Sequence, residues 1–352
     1  MTAPPVDVII VNYRSAALVA AVLSRLRRDG RWPYGRVWVV DNSVEPSHTR
    51  ELQTVIGQSG GDLVQLTLPR NVGFGAGCNV AWAHSTAPYV LLLNPDALID
   101  PEAVGRLALQ LQANPRVAAI SPRTWWDHVG GWLLPPATPQ RPWAQLKRAW
   151  ASRRDPPSWA CSQAERTAGL SFTPKASASL WDVDMLAGAV LMLRRDAVEA
   201  CGGLFDESFF MYFEDAQLSD RLRAGGWRLA ITPEVDAVHT WRHEAHKAPL
   251  MEAAKARYLK QSGLLFRWLE PWWPSLSAMG TLGPVAHRFG QGTEAAAGLG
   301  PVCALSPVPS GDPAWVRAGR AWAPLSEQEW GRLAPGAYWA WTQRGWVGFE
   351  RL

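Results

Sequence analysis

Short apolar runs alternate with stretches of helical periodicity over the first part of the chain. A helix is predicted over Ser15–Arg28, with Ser15 as its N-cap and Gly30 just past its end, and another follows Asp100–Pro101, where the proline takes the first helical position. Strands that alternate with helices are typical of βαβ units, so we predict an α/β fold with a mostly parallel sheet. The predicted strands are Val6–Val11, Val37–Val40, Leu63–Leu68, Tyr89–Leu93 and Val117–Ile120.

The periodic pattern is lost between Trp125 and Ser179, a segment rich in Trp, Pro, Arg and Ala. We interpret 125–179 as a long insertion or mobile loop. Regular patterns then return and predict a strand, a helix, two short strands and a final helix. These elements are Ala187–Leu193, Ala216–Ala224, Trp227–Ile231, Ala237–His239 and Met251–Trp268.

The last part of the chain has a different composition. Pro301–Pro313 reads as a linker, and six tryptophans follow within a short segment. Ser326 and Glu329 have capping-box spacing, and a hairpin is predicted around Gln343-Arg344-Gly345. So many tryptophans must be buried, in a small core of their own, against the main domain or against a second subunit. The predicted domains are 1–268 (an α/β domain), 269–313 (a linker) and 314–352 (a small Trp-rich α+β appendage).

Composition limits the classes of function. The chain has 352 residues, is 47% hydrophobic, and carries a formal charge of +4 from 35 basic and 31 acidic residues. No long basic run is present, so no nucleic-acid partner is expected. The four cysteines are widely spaced without a CxxC pair, which fits neither a zinc cluster nor a disulfide framework and favours a reducing cytoplasm. No signal peptide is recognised at the N-terminus.

One apolar segment suggests contact with a membrane surface. Leu264–Met279 is interrupted by charged residues and prolines, and it falls short of the roughly 20 apolar residues that a spanning helix needs. Together with 125–179 it combines tryptophans with arginines. We therefore expect peripheral association with the inner membrane surface, with Trp268, Trp272 and Trp273 at headgroup depth.

Polar residues follow the predicted strands at the point where each strand ends. In a parallel sheet, ligands bind beyond the carboxyl ends of the strands, so these residues are candidates for one binding rim. Each of these residues could also serve an ordinary turn or helix cap, but their joint arrangement at one edge favours a ligand-binding site. The four segments are Asn12-Tyr13-Arg14, Asp41-Asn42-Ser43, Arg70-Asn71-Val72-Gly73 and Asn94-Pro95-Asp96.

The rim residues suit a nucleoside diphosphate. Asp41 can accept the ring N–H of a pyrimidine base, and Asp96 is placed to hold a divalent cation that neutralises a diphosphate. Gly73, Gly75 and Gly77 lie just before a predicted helix start, where the backbone can approach an anion closely.

Two further groups carry candidate chemistry. Glu214 and Asp215 follow a run of aromatic residues, an arrangement that can place a carboxylate base in a partly apolar pocket, although acids are also common in the first turn of a helix. His239, at the end of the last predicted strand, is a candidate metal ligand, although a lone histidine is more often structural.

From Val6 to about His243 the chain resembles the family 2 inverting glycosyltransferases of the GT-A fold, especially their bacterial rhamnosyltransferase-like branch. The matching segments are Val8–Tyr13, Val39–Ser43, Asn71–Phe74, Leu93–Asp96, Gly188–Ala189, Gly202–Glu207 and Phe213–Asp215. The resemblance implies a Rossmann-like sheet flanked by helices, and a nucleotide-sugar donor as partner. It also implies a hydroxyl acceptor on a cell-surface polysaccharide or lipid-linked glycan precursor.

The resemblance also implies roles for individual residues. Asp96 would ligate Mg²⁺ or Mn²⁺, with His239 or His243 as a second ligand, and Asn94 replaces the first acid of the DXD element. Asp215 would be the general base, with Glu214 beside it. The leading donor is dTDP-rhamnose. Nucleotide-sugar binding is expected from Asn12, Tyr13, Asp41, Asn42, Asn71, Gly73, Phe74 and Asn94.

Two other functions compete with this interpretation. A sugar-nucleotide nucleotidyltransferase needs a Gly-rich basic loop after the first strand, where this chain has Asn12-Tyr13-Arg14-Ser15. A non-catalytic glycan-binding protein descended from a transferase would have no need of Asp41, Asp96 and Asp215 together. The sequence leaves the sugar, the acceptor and the formation of a homo-oligomer open.

Overall fold

The computed structural model describes residues 3–27, 32, 35–60, 63–128, 130–173, 175, 179–240, 248–289 and 299–352. The chain divides into two compact units. The first is built from Met1–Thr124, Lys175–Thr240 and Leu250–Tyr258, and the second mainly from Trp125–Pro174 and Leu259–Leu352.

Strands and helices are numbered in chain order. The strands are β1 (Val6–Asn12), β2 (Val37–Asp41), β3 (Leu63–Thr67), β4 (Tyr89–Leu93), β5 (Ala97–Leu98), β6 (Val117–Trp125), β7 (Trp132–Leu133), β8 (Trp181–Val183), β9 (Val190–Arg194), β10 (Arg228–His239), β11 (Val285–Phe289), β12 (Val302–Ser306), β13 (Trp315–Arg317), β14 (Gly336–Thr342) and β15 (Gly345–Arg351). The helices are α1 (Ala16–Leu26), α2 (Pro46–Ser59), α3 (Phe74–His84), α4 (Pro101–Ala113), α5 (Pro142–Arg154), α6 (Pro156–Phe172), α7 (Arg195–Ala200), α8 (Glu214–Ala224), α9 (Ala248–Gln261), α10 (Leu264–Leu269), α11 (Trp273–Leu276) and α12 (Glu327–Arg332).

The first unit contains a mostly parallel sheet, as predicted. Its strands lie in the order β6, β9, β4, β1, β2, β3. β1 runs parallel to β2 and β4, and β2 runs parallel to β3. β9 is antiparallel to β4 and β6, and β10 pairs antiparallel with β5 and β8. The carboxyl ends of β1, β2 and β4 therefore meet at one edge, which is where the sequence places its polar residues.

Burial explains why these runs become central strands. Every residue of β1, β2 and β4 is buried, as expected for strands covered on both faces by helices. α1 buries Val19, Val22, Leu23 and Leu26, which share one face of the helix, against this sheet. The core of the first unit thus holds the strand ends in fixed positions.

Most element boundaries in this unit agree with the sequence prediction. Ser15 is the N-cap position of α1, but its hydroxyl donates to Asn12 Oδ1 instead of capping the helix. The two short strands predicted at 227–231 and 237–239 form one strand, β10. The helix predicted over Met251–Trp268 is divided into α9 and α10 by Gly263, which has a φ of 118°. Arg28 and Gly30 lie outside the described residues.

The second unit contains regular structure in two segments where the sequence predicted little. The segment 125–179, interpreted as a long insertion or mobile loop, is not a loop throughout, because it contains α5 and α6, each with a proline in its first turn. The sequence carries no apolar stripe over α6, because its buried face is made largely of small residues such as Ala160, Ala164 and Ala168. The expected linker 269–313 contains β11 and β12.

The tail does not form a core by itself. β12 pairs antiparallel with β13 and β14, β14 pairs antiparallel with β15, and β13 pairs with β7 from the expected loop. Trp126 stacks on Trp315, with ring centroids 4.6 Å apart and planes 8° apart. Trp132 joins the same cluster, together with Trp330 and Phe349. The appendage is therefore assembled from two distant segments of the chain.

The capping box and hairpin of the tail are confirmed. The Ser326 hydroxyl accepts the Glu329 N–H, and the Glu329 carboxylate accepts the Ser326 N–H. β14 and β15 close through Thr342 and Gly345, where the φ of Gly345 is 110°. In the part of the chain that is described, no helix is both long and apolar enough to cross a membrane.

Candidate active site

Asn12 organises the rim at the end of β1. Its side chain is fully buried, and its Nδ2 donates to Asp41 Oδ1 at 3.1 Å and to Ser43 Oγ at 3.0 Å. Its Oδ1 accepts from the N–H of Ser15 at 3.1 Å and from the hydroxyl of Ser15. The amide is satisfied on both sides within the protein, so Asn12 positions the neighbouring turns and does not itself present a free group to a ligand.

Asp41 is also fully buried, at the end of β2. Its Oδ1 accepts from Asn12 and from the N–H of Ser43, each at 3.1 Å, whereas its Oδ2 has no hydrogen-bond partner. An unpaired buried carboxylate oxygen is costly. The carboxylate thus fixes the β2 turn and has one buried oxygen without a protein partner. Its role in binding a base stays a prediction.

Tyr13 is exposed at this part of the rim, as are Arg14 and Val44. The guanidinium of Arg14 lies 5.0 Å from the Tyr13 ring centroid and is paired with Glu45. Arg14 and Val44 adopt φ values of 54° and 70°, a backbone conformation that side chains other than glycine rarely take. Strained backbone of this kind is concentrated at functional sites, and here it flanks an exposed aromatic ring.

The turn after β3 is fastened from two sides. Asn42 donates to the Gly73 carbonyl at 2.9 Å and accepts the Val72 N–H at 3.0 Å. Gly73 donates to Asn71 Oδ1 at 3.0 Å, and Phe74 donates to the carbonyl of Phe210 at 3.0 Å. The N–H groups of Gly73 and Phe74 are therefore used inside the protein, which argues against a phosphate at these two amides.

The glycines of this turn have packing roles. Gly73 has a φ of 88°, and a Cβ there would lie inside van der Waals contact with the Phe210 carbonyl. A Cβ at Gly77 would meet Val11 at 3.1 Å, and one at Gly75 would meet Phe205 at 3.3 Å. The close backbone approach predicted from the glycines is thus an approach to other protein segments.

The two acids at the start of α8 have different environments. Glu214 is buried and its Oε2 has no partner, whereas Asp215 is half-buried and accepts the N–H of Gly188 at 3.1 Å and of Ala216 at 2.8 Å. Burial, and then the charge of Asp215, raises the pKa of Glu214 to about 8. Burial also raises the pKa of Asp215, against the opposing effect of the two N–H donors. With a pKa of about 8, Glu214 is therefore mainly protonated at neutral pH.

The backbone before these acids is strained. Tyr212 and Phe213 have φ values of 72° and 66°, immediately before the first residue of α8. Two consecutive non-glycine residues in the left-handed region cost free energy, and this cost is tolerated where the surrounding structure fixes the conformation. Phe210, tied to Phe74, belongs to the same segment.

Gly188 and Ala189 connect Asp215 to the end of β4. Asn94 donates its N–H to the Ala189 carbonyl at 2.9 Å, while the adjacent Gly188 donates to Asp215. A Cβ at Gly188 would lie 3.3 Å from the Phe74 ring. The structure thereby brings together three sequence segments that the resemblance matched separately, those of Asn71–Phe74, Asn94–Asp96 and Asp215.

Asp96 and His239 are neighbours, and their role as two ligands of one metal stays a prediction. β5 and β10 pair Ala97 with His239, and Thr240 donates its N–H to the Asp96 carbonyl at 3.1 Å. Asp96 Oδ1 lies 3.4 Å from His239 Nε2. A carboxylate and an imidazole at this separation fit as two ligands of one divalent cation. Within the described ranges no group of three or more His, Cys, Asp or Glu side chains could hold a metal. His243 lies outside those ranges.

Two positioning residues were missed by the sequence reasoning. Asn79 in α3 accepts the Phe205 N–H at 3.0 Å and donates to the Phe205 carbonyl at 2.9 Å. Arg221 in α8 donates to the carbonyl oxygens of Cys201, Gly203 and Leu204. Both hold the segment that precedes the acid pair, and neither belongs to a recognisable motif, because their partners are backbone atoms.

Comparison with known proteins identifies the family. A model described as Glycosyl transferase family 2 matches residues 7–200, more than half of the chain. The N-acetylglucosaminyl-diphospho-decaprenol L-rhamnosyltransferase of Mycobacterium tuberculosis is 29% identical over 182 residues, which cover 47% of this chain and 51% of that protein. The low-salt glycan biosynthesis hexosyltransferase Agl10 of Haloferax volcanii is 26% identical over 237 residues, covering 66% of each.

The chain spans about half the length of the rhamnosyltransferase that it matches. Among solved structures, GalNAc-T7 with UDP, GalNAc and Mn²⁺ is similar in fold, with a TM-score of 0.51 at 12% identity over 78% of this chain and 56% of that chain. The GT-A-type arrangement of the first unit agrees with this likeness. The chain therefore belongs to glycosyl transferase family 2.

Proposed function

We propose that this chain is an inverting, metal-dependent glycosyltransferase that moves a sugar from a nucleotide-diphosphate donor to a hydroxyl of a glycan precursor. The observation that carries the proposal is the acid pair at the start of α8, where the Asp215 carboxylate accepts the N–H groups of Gly188 and Ala216 beside the buried Glu214. A carboxylate fixed by two N–H donors at the rim has the geometry of a general base.

In the proposed reaction Asp215 accepts the proton of the acceptor hydroxyl while that oxygen bonds to the anomeric carbon. The bond from the anomeric carbon to the diphosphate breaks at the same time, so the configuration inverts and the electron pair leaves with the nucleoside diphosphate. Glu214 takes no part in proton transfer, because it is protonated and buried.

The residues present fit a divalent cation at Asp96 and His239. When bound there, Mg²⁺ or Mn²⁺ would supply Lewis-acid stabilisation of the charge on the departing diphosphate. Two protein ligands leave positions for phosphate oxygens and water, which is how Mg²⁺ is usually held beside nucleotide substrates. The presence of Mn²⁺ with UDP in the GalNAc-T7 structure supports carrying a metal over to this chain.

The donor and acceptor are proposed from the relatives. The leading donor is dTDP-rhamnose, and the acceptor class is a lipid-linked diphosphate sugar, as the name of the mycobacterial relative states for that protein. Such an acceptor would be met at the cytoplasmic face of the membrane. Tyr13, exposed at the rim, offers a ring on which the nucleotide base can stack.

The test is to incubate the purified protein with Mn²⁺ and a panel of TDP-, UDP- and GDP-sugars, with and without a lipid-linked N-acetylglucosamine diphosphate. Release of nucleoside diphosphate, and a product whose anomeric configuration is opposite to that of the donor, are expected from one donor. Release of pyrophosphate from a nucleoside triphosphate and a sugar phosphate would indicate a nucleotidyltransferase instead. Retained configuration, or no release from any sugar nucleotide, would contradict the proposal.

A further inference from the structure

Large apolar side chains stand exposed on two helical segments of the second unit. Trp is normally among the more buried residues, so several exposed tryptophans in one region call for an explanation. We refer to this set as the Trp–Leu face. It consists of Trp143 (64% exposed) and Trp150 (67%) on α5, and of Leu264 (81%), Leu265 (53%), Trp268 (78%) and Trp272 (57%) on α10 and the turn that follows.

The two segments rest on a common buried layer. The Trp143 ring meets the edge of Phe266 at 5.2 Å, and Phe266 meets Trp273 at 5.9 Å in the same manner. Leu146 packs against the cluster that contains both buried rings, and Arg153 Nε donates to the Ala278 carbonyl at 2.7 Å. The exposed side chains therefore project from a packed base. Trp273, expected at headgroup depth from the sequence, is instead buried in that base.

The charge on α5 is positive, and Glu270, the acidic residue between Trp268 and Trp272, is paired with Lys260. α5 carries Lys147, Arg148, Arg153 and Arg154 and no acidic residue. Arg148 is paired with Asp312, whereas Arg153 donates to backbone carbonyl oxygens and keeps its charge. The guanidinium of Arg154 lies 5.8 Å from the Trp150 ring. Cations interleaved with tryptophans complement an anionic surface that has an apolar layer beneath it.

We propose that the Trp–Leu face docks on the surface of an anionic phospholipid bilayer, with Trp143, Trp268 and Trp272 at the level of the headgroups. The proposal does not depend on the proposed function. A symmetric contact between two copies is less well matched, because it would set the cations of one α5 close to those of another.

The experiment is flotation of the full-length protein with vesicles of phosphatidylcholine alone and of phosphatidylcholine with phosphatidylglycerol. Binding is expected to the phosphatidylglycerol vesicles at low salt and to weaken as salt is added. Trp268→Ser with Trp272→Ser should abolish most of the binding. Lys147→Gln with Arg154→Gln should weaken it about fivefold for each charge removed.

The matched control is Trp322→Ser, which removes an exposed tryptophan of the same unit outside the Trp–Leu face and should leave binding unchanged. Circular dichroism of each variant establishes that it is folded. Equal binding by wild type and the Trp268/Trp272 variant, or no binding to either vesicle, would overturn the proposal. A second result would also overturn it. If the protein binds no vesicles, and if its mass in sedimentation rises with concentration for wild type but not for the Trp268/Trp272 variant, the face joins two copies.

Discussion

Asp215 Oδ2 accepts the N–H of Gly188 at 3.1 Å, and the next residue, Ala189, accepts the N–H of Asn94 at 2.9 Å. The proposed base and the DXD-like turn are thus fastened to adjacent backbone groups of one segment. Since catalysis is sensitive to displacements of about 1 Å, this common attachment gives the two elements a fixed relationship.

The first prediction separates the two acids of α8. Asp215→Asn keeps the size of the side chain but cannot accept a proton, so turnover should fall by about 10² to 10⁴ with donor binding retained. Glu214→Gln should remain within the same order of magnitude as wild type, because glutamine resembles the protonated acid. Turnover and donor affinity of both variants are the measurements. If the Glu214→Gln variant were inactive and the Asp215→Asn variant normal, Glu214 and not Asp215 would be the general base.

The second prediction concerns stability and pH. The pKa of Glu214 rises from 4.5 to about 8 on folding, so between these values the folded chain holds a proton that the unfolded chain has lost. The contribution of Glu214 to the free energy of unfolding is therefore fully present below pH 4.5 and is lost as the pH rises through 8. The loss amounts to a few kcal/mol, at about 1.4 kcal/mol per pH unit. Denaturant unfolding at pH 5, 6.5 and 8 measures the slope. Glu214→Gln should flatten it, and an unchanged slope in that variant would refute the assignment.

The third prediction uses two glycines. Gly73→Ala places a Cβ against the Phe210 carbonyl at a φ of 88°, so it should destabilise the protein by more than about 1 kcal/mol and displace the segment before α8. Gly57→Ala is the matched control, because nothing lies within 4 Å of its Cβ and it is inside α2. That substitution should stabilise the protein by about 0.5–1 kcal/mol. Thermal unfolding of both variants tests the contrast, and equal effects would count against this packing.

The fourth prediction concerns the metal. Asp96→Ala and His239→Ala should each abolish or strongly reduce transfer without loss of the fold, because neither side chain is part of the apolar core. Calorimetric titration of Mn²⁺ into the protein with nucleoside diphosphate should show weakened binding in both variants. Asp184→Ala, which removes an exposed carboxylate paired with Arg223, is the control. If the wild-type protein kept full activity in the presence of a chelator, the proposed metal dependence would be wrong.

The fifth prediction concerns the second unit. Truncation after Gly300 removes none of the residues assigned to the chemistry, but it removes Trp315 and Trp330, which share a buried cluster with Trp126 and Trp132. We therefore expect the truncated protein to be prone to aggregation. Trp330→Ala should cost about 3–5 kcal/mol, whereas the exposed Trp322→Ala should cost little. A monodisperse truncated protein with unchanged stability would show that the two segments do not share a core.

The sequence was most informative where burial and backbone geometry impose a strict pattern. The central strands are apolar throughout because both of their faces are covered. The spacing of Ser326 and Glu329 predicts the capping box that the structure shows. The helices within 125–179 are not predictable from the sequence pattern, because α5 and α6 bury mainly small residues such as alanine and serine, which leave no apolar stripe.

The candidate site was predicted only in part, for a related reason. The pattern located Asp96 and His239, which the structure brings to 3.4 Å, but residue type did not reveal how each polar group is satisfied. Asn12 and Asn42 are occupied by internal hydrogen bonds, and Arg221 by backbone carbonyls that carry no sequence information. Such partners depend on tertiary placement, which one sequence does not show.

The shared aromatic core of the second unit has a consequence during synthesis of the chain. Trp132 Nε1 donates to Glu329, a residue 197 positions later. At about 5–20 residues per second, a ribosome needs about 10–40 s to add that length. Throughout this interval Trp126 and Trp132 have emerged without the rings that cover them. The nascent chain therefore exposes aromatic surface until the segment around Glu329 has been synthesised, and a chaperone that binds such surface would act on the segment of Trp126 and Trp132 first.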